Sequence, residues 1–310
     1  MDALTGLIRF ALYFDLMALF GVAAFGLYGL RGDERRSGAT LPFRLLLGGA
    51  ALLGLVLSAA GLVVLAAGMA GVPLSQVDSV SIGMILTGTS IGTAWIVRMA
   101  ALAVALGLVL FSPVRPIALL TSATTAGAAA LVSLAWTGHG AMDEGSTGVV
   151  HLSADALHLL AAGIWIGALL ALMLLVFRRR ELVDRDHLIL SHRALAGFSL
   201  VGTITVAVII VSGLVNSWLL VGPANLLNLA ESLYGQLLIA KLALFAAMIA
   251  LAATNRFRLV PAFEASLAGA DHRAASRALR RSLAIETGCA LAILALVAWL
   301  GMLEPPMSMA

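Results

Sequence analysis

The run His151-Leu-Ser-Ala-Asp155-Ala-Leu-His158 sets three groups capable of chemistry at offsets i, i+4 and i+7. In a helix those offsets share one face. At a rise of ~1.5 Å per residue, Asp155 lies roughly 6 Å and His158 roughly 10 Å further along the axis than His151. Imidazole suits copper and zinc, and thioether sulfur suits Cu(I). Upstream, Trp136-Thr137-Gly138-His139-Gly140-Ala141-Met142 supplies one more imidazole and one thioether. The tail Glu304-Pro-Pro-Met307-Ser-Met309 adds a Met-x-Met spacing in a Pro-rich segment, with Met302 before it. The candidate metal contacts are therefore His139, His151, His158, Asp155, Met142, Met307 and Met309. Asp155 serves either as a ligand or as the acceptor that orients an imidazole. A plain structural reading stands beside this one. In it His151 caps a helix, Asp155 pairs with Arg98 or Lys241, and the methionines fill a membrane core.

A second set of charged groups falls inside apolar runs: Asp15, Arg98 and Lys241, with Asn216 near them in expected depth. Opposite charges share a low-dielectric interior only as pairs or with water. Asp15–Arg98 and Asp155–Lys241 are the pairings the sequence suggests, and ion or proton coupling is the functional alternative. Glu286 and Cys289, three apart, share a face further along. Met17, Met99, Met173 and Met248 are scattered. No phosphate-binding glycine loop, nucleophile–base motif or HExxH site is present, so no catalytic residue is assigned and the chain is not read as an enzyme.

These groups sit in an unusual background. Of 310 residues, 61% are apolar and only 11% charged, where a soluble domain carries about 25% charged residues. So little charge cannot cover a water-facing surface, and lipid is the expected neighbour. The apolar runs are 4–30, 43–71, 90–111, 115–137, 151–177, 194–221, 235–254 and 282–303. Each is long enough to cross a bilayer, which takes about 20 residues. The runs are continuous rather than alternating, which excludes a β-barrel. The expected fold is all-α: a polytopic membrane bundle of about eight helices forming one domain over 1–310. The start, MDALTGLIRFALYF, lacks a basic n-region and a cleavage site and reads as a retained first helix.

Charge placement orients the bundle. Sixteen of the nineteen basic residues lie in 31–44, 112–116, 178–193 and 255–281, and none lies in 72–89, 138–150, 222–234 or the tail. Cytoplasmic loops carry the excess of Lys and Arg. Both termini and the histidine cluster are thus expected on the periplasmic side of a bacterial inner membrane. Trp136, Trp218 and Trp299 fall at expected outer helix ends, as an aromatic belt requires. The net charge of +3 and pI near 9.6 then read as topology rather than nucleic-acid binding. The connections 178–193 and 255–281 are expected to form short amphipathic surface helices, with His187, His192 and His272 solvated. Gly163-x3-Gly167 reads as close helix packing. The lone Cys289 allows no intrachain disulfide.

Three stretches together resemble the copper resistance protein D family. They are Thr137-Gly138-His139-Gly140; His151-x6-His158-x6-Trp165-Ile166-Gly167; and Tyr234-Gly235-x4-Ala240-Lys241-Leu242 continuing to Asn255-Arg256. The resemblance runs over nearly the whole chain and is densest from 136 to 258. It implies an inner-membrane protein that handles copper, as Cu(I) or Cu(II), and moves it inward. It implies copper contact at His139, His151 and His158, and a separate periplasmic copper-binding partner of the CopC type. Two other classes compete. One is a b-type haem electron carrier with His158 or His151 opposite His139. The other is a copper-binding scaffold or sensor without transport.

Overall fold

Apolar residues line these segments on all sides, so each helix must be surrounded by other helices or by lipid. The computed structural model describes residues 2–36, 38–111, 115–138, 145–178, 185–267 and 273–306. Among them there are helices and turns but no strand. The helices are α1 (Asp2–Tyr28), α2 (Phe43–Ala70), α3 (Ser79–Gly88), α4 (Ser90–Phe111), α5 (Pro116–Val132), α6 (Gly145–Val176), α7 (Arg185–Val221), α8 (Leu233–Thr254), α9 (Val260–Leu267) and α10 (Arg273–Leu300). Eight are long and apolar enough to cross a membrane. They correspond one to one with the eight runs read from sequence.

Three segments differ from expectation. The connection 72–89 contains α3, a ten-residue apolar helix too short to span. It packs Ile85 against Leu62 and Ala66 of α2. The residues 185–193 are not a separate surface helix but the first turns of α7. Likewise α10 already begins at Arg273, and α8 runs on through a π turn, Asn255–Leu259, into α9. The physical reason is that no Pro or Gly falls within the charged first turns of α7 and α10 or within the π turn, so helical hydrogen bonding continues into the charged region. Pro261 is the exception: it stands just past the π turn in a continuous helix, where its missing N–H leaves a carbonyl of the preceding turn without its intrahelical donor.

α1 is the most deeply buried of the eight spans, and α8 the least. α1 packs against α2, α5, α6 and α10. Its seam with α6 is unusually close. A Cβ at Gly21 would fall 2.0 Å from the Gly163 carbonyl oxygen, and one at Gly167 would fall 2.1 Å from the Gly21 carbonyl carbon. Only glycine fits there, and the Gly163-x3-Gly167 reading holds. Both chain ends lie at one end of the bundle: Met302 Cε is 3.2 Å from where a Gly6 Cβ would stand. α2 stops at that end on Gly71, which has φ of 66° and returns its N–H to the last turn.

The opposite end carries the arginines, and several cap helices there. Arg35 donates to the Gly26 and Leu27 carbonyls at the close of α1, and Arg44 donates to the Val109 carbonyl at the close of α4. Cations at helix C-termini meet orphan carbonyls and the negative end of the dipole. Arg193 of α7 donates to both carboxylate oxygens of Glu34, in the turn after α1. His187 is buried rather than solvated: its Nε2 meets the Leu175 carbonyl at 2.9 Å, joining the close of α6 to the start of α7. His192 lies half-buried, 3.6 Å from Glu264 of α9. His272 lies outside the described residues.

Candidate metal-handling site

α6 begins at the end where the termini lie and carries His151, Asp155 and His158 down one face. His151 is buried, and Asp155 and His158 are half-buried. α7 runs antiparallel beside α6, so residues pair in descending order. Asn216 donates its amide to Asp155 Oδ1 at 2.6 Å, and one turn deeper Ser212 Oγ lies 3.0 Å from His158 Nδ1. Ser212 and Asn216 are i and i+4, as helical facing requires. Ser212 also donates to the Val208 carbonyl at 2.6 Å. With its one proton so used, it is the acceptor toward Nδ1–H. That choice of tautomer leaves His158 Nε2 with its lone pair, the form in which imidazole binds metal.

α8 supplies the third wall. Tyr234, Lys241, Met248 and Asn255 recur every seventh residue, which keeps them on one face. Lys241 lies within electrostatic reach of both Asp155 and His158, and Tyr234 within reach of Asp155. His151 lies within the same reach of Asp155. Gly138 closes the top: a Cβ there would sit 3.8 Å from Asp155 Oδ2. The arrangement is a ladder rather than a single chelating centre. Among the described residues no three His, Cys, Asp or Glu side chains converge on one point. The helical rise explains this, since side chains separated by roughly 10 Å along an axis cannot share one ion.

The remaining sequence candidates separate. His139, Met142, Met307 and Met309 lie outside the described residues. Asp15 and Arg98 are both buried but do not pair. Asp15 Oδ2 faces α2, 2.8 Å from where a Gly54 Cβ would stand, and has no hydrogen-bond partner. Arg98 on α4 instead reaches Ser133 at 3.4 Å, past the close of α5. No ion pair within 4 Å joins them among the described residues, although Asp15 lies beside Leu102, one turn along α4 from Arg98. Thus of the four charged and amide groups, Asn216 and Lys241 join the ladder, and Asp15 and Arg98 do not. No ion pair within 4 Å forms between Asp155 and Lys241 either; Asn216 takes the contact position. The haem pairing of His158 or His151 with His139 involves a residue outside the described ones.

Sequence reading missed Ser212 as the partner of His158. It also missed a deeper polar cluster. Trp165, seven residues beyond His158, donates Nε1–H to Glu286 Oε1 at 2.9 Å, and Asn255 donates to Glu286 Oε2 at 2.9 Å. The seven-residue spacings on α6 and α8 were the available signal.

Comparison with known proteins agrees with the resemblance. The family described as copper resistance protein D-like, N-terminal domain, matches residues 1–149, and copper resistance protein D matches residues 192–300. The chain is 48% identical to a copper resistance protein D of Pseudomonas syringae pv. tomato, over 99% of this chain and 98% of that one. It is 31% identical to inner membrane protein YebZ of Escherichia coli K12, over 82% of this chain and 83% of that one. A Bacillus subtilis copper transport protein, CutJ, is 34% identical over 40% of this chain and 22% of its own length. No solved structure matches.

Proposed function

The chain belongs to the copper resistance protein D family, and from that premise we propose that it carries copper across the bacterial inner membrane, from the periplasm inward. The observation that carries this reading is the α6 ladder, entered from the end where the termini lie. There two imidazoles and a carboxylate descend into a membrane bundle with partners on α7 and α8. His151 takes the ion first, together with His139, and His158 Nε2 takes it next. Met142, Met307 and Met309 offer thioethers for its capture from a separate periplasmic copper-binding protein of the CopC type. A ladder of sites suits a conduit, because a cargo ion must bind at each step and still leave. Asp155 balances the charge of the passing cation and is held in place by Asn216. The relatives' names, copper resistance protein D and copper transport protein CutJ, support copper as cargo. YebZ, named an inner membrane protein, supports the location.

The test is copper accumulation by cells carrying the double variant His151→Ala/His158→Ala at wild-type protein levels. Uptake should fall to the level of cells lacking the protein. Uptake equal to wild type would remove the ladder from the route. Purified protein should also lose bound copper in the same variant.

A further inference from the structure

Below the ladder, the cluster around Glu286 has a geometry the copper reading does not use. Glu286 is 2% exposed and Trp165 3% exposed, inside the bundle rather than at its rim. An ionisable group placed there is costly and marks function by default. Both carboxylate oxygens are met by N–H donors, from Trp165 on α6 and Asn255 at the close of α8. Among the described residues no cation joins them. Arg256, next after Asn255, turns out to Thr203, and Arg280, on the same helix as Glu286, stacks over Phe177. Glu264 of α9 is taken by His192 of α7. On α1, Asp15 faces α2. Cys289, one turn on along α10, is the nearest other titratable side chain in sequence.

Asn255 supplies the second observation. It is 8% exposed, and its Oδ1 is buried with no hydrogen-bond partner. Its backbone opens the π turn Asn255–Leu259, a rare arrangement that recurs frequently at functional sites. An orphan acceptor beside a carboxylate has a use once the carboxylate takes a proton. A half-turn of the amide then presents Oδ1 to the new O–H on Oε2, while Trp165 keeps donating to Oε1. In the ionised state Asn255 donates; in the neutral state it accepts. One hydrogen bond between the two side chains persists in both.

We propose that Glu286 is a proton-exchange site, with Asn255 as its two-state partner and Trp165 as its fixed one. The O–H bond forms at Oε2 with a proton from water at the arginine-bearing end, and the site's charge changes from −1 to 0. The same bond breaks when the proton leaves. Because α6 carries both His158 and Trp165 on one face, a cation at His158 and a proton at Glu286 bias the same helix. The link to copper movement rests on the function proposed above; the proton exchange itself does not.

Two measurements on the full chain in lipid vesicles separate these claims. In infrared difference spectra, acidification should bring in a protonated-carboxyl C=O band that Glu286→Gln removes. Trp165→Phe keeps the carboxyl and should shift that band, since one donor is gone. A wild-type band unchanged by both substitutions overturns the proposal, as does its absence across the neutral range. In the second measurement, radiolabelled copper is followed under an imposed pH gradient. The wild-type accumulation ratio should change about tenfold per pH unit for each coupled proton, and Glu286→Gln should flatten this dependence. A retained gradient response in Glu286→Gln overturns the coupling. A wild-type protein that shows the band but moves no copper supports the proton site and overturns the transport reading instead.

Discussion

A single serine shows how narrowly the ladder is tuned. Ser212 passes its proton to the Val208 carbonyl and so can only accept from His158 Nδ1. Partners of this kind typically carry 10–100-fold in metal affinity. Ser212→Ala should therefore weaken copper binding by roughly that factor while leaving the fold intact, as read by copper titration and by thermal unfolding of the same sample. Asn216 has a heavier structural part, because Asp155 is held in the bundle by its amide. Asn216→Leu strands a carboxylate oxygen, and a lost partner of that sort costs about 1–3 kcal/mol. It should lower the unfolding temperature as well as copper affinity. Asn216→Asp would set two carboxylates together and should be worse than Leu in both measurements.

At the scale of elements, the α1–α6 seam brings two spans into backbone contact. Glycine at 21 and 167 brings two backbones together where no Cβ fits, and a Cβ at Gly163 would press on the Phe20 and Leu131 side chains. Overpacking of a tight core costs about 1–3 kcal/mol. Gly167→Ala should lose that much and Gly167→Leu should fail to accumulate in membranes, measured by detergent-solubilised yield and melting temperature. The same seam sets the register of α6, hence the depth of His151 and His158, so Gly167→Ala should also depress copper binding.

The turn after α1 is tied to α7 by Glu34 and Arg193. Burial opposes the charged carboxylate, but the guanidinium of Arg193 and the Arg31 backbone N–H outweigh it and hold Glu34 below the usual carboxylate range. A group whose folded pKa is lowered stabilises fully above its unfolded value and loses that contribution as pH falls through the folded one. Glu34→Gln should thus cost about 1 kcal/mol at neutral pH. The gap to wild type should close in acid, below the ordinary carboxylate range. A gap that widened in acid would contradict the sign.

For the whole molecule, sidedness is the main consequence. Both chain ends and the top of the ladder share one end of the bundle, and the arginines crowd the other. The positive-inside rule assigns the arginine end to the cytoplasm. With Cys289 replaced by Ser, a cysteine introduced at Ser75 should react with an impermeant thiol reagent on intact spheroplasts. One introduced at Ala262 should react only after lysis. The reverse pattern would invert the direction proposed for copper.

How much of this was legible from the chain alone varies by residue. Span number was, because continuous apolar stretches of bilayer length admit little else; where α6, α7, α8 and α10 begin or end was not, since helical hydrogen bonding runs on past the apolar stretches into polar sequence. Histidine and aspartate spacing placed three groups on one face, since helical periodicity is local. The arginine distribution carried the expected orientation, though not the capping roles of Arg35 and Arg44, which depend on where neighbouring helices end. Tertiary structure alone decided the partners. Asp15 and Arg98 look like a pair in sequence, yet Arg98 takes Ser133 and Asp15 faces Gly54. Ser212 and Asn216 meet His158 and Asp155 only because α7 runs antiparallel to α6 in that register. Glu286 meets Trp165 and Asn255 from two other helices. Such contacts join residues dozens of positions apart, and no local pattern encodes which helix faces which. Residue types and helical spacing determined what chemistry each face offers; packing decided which faces meet.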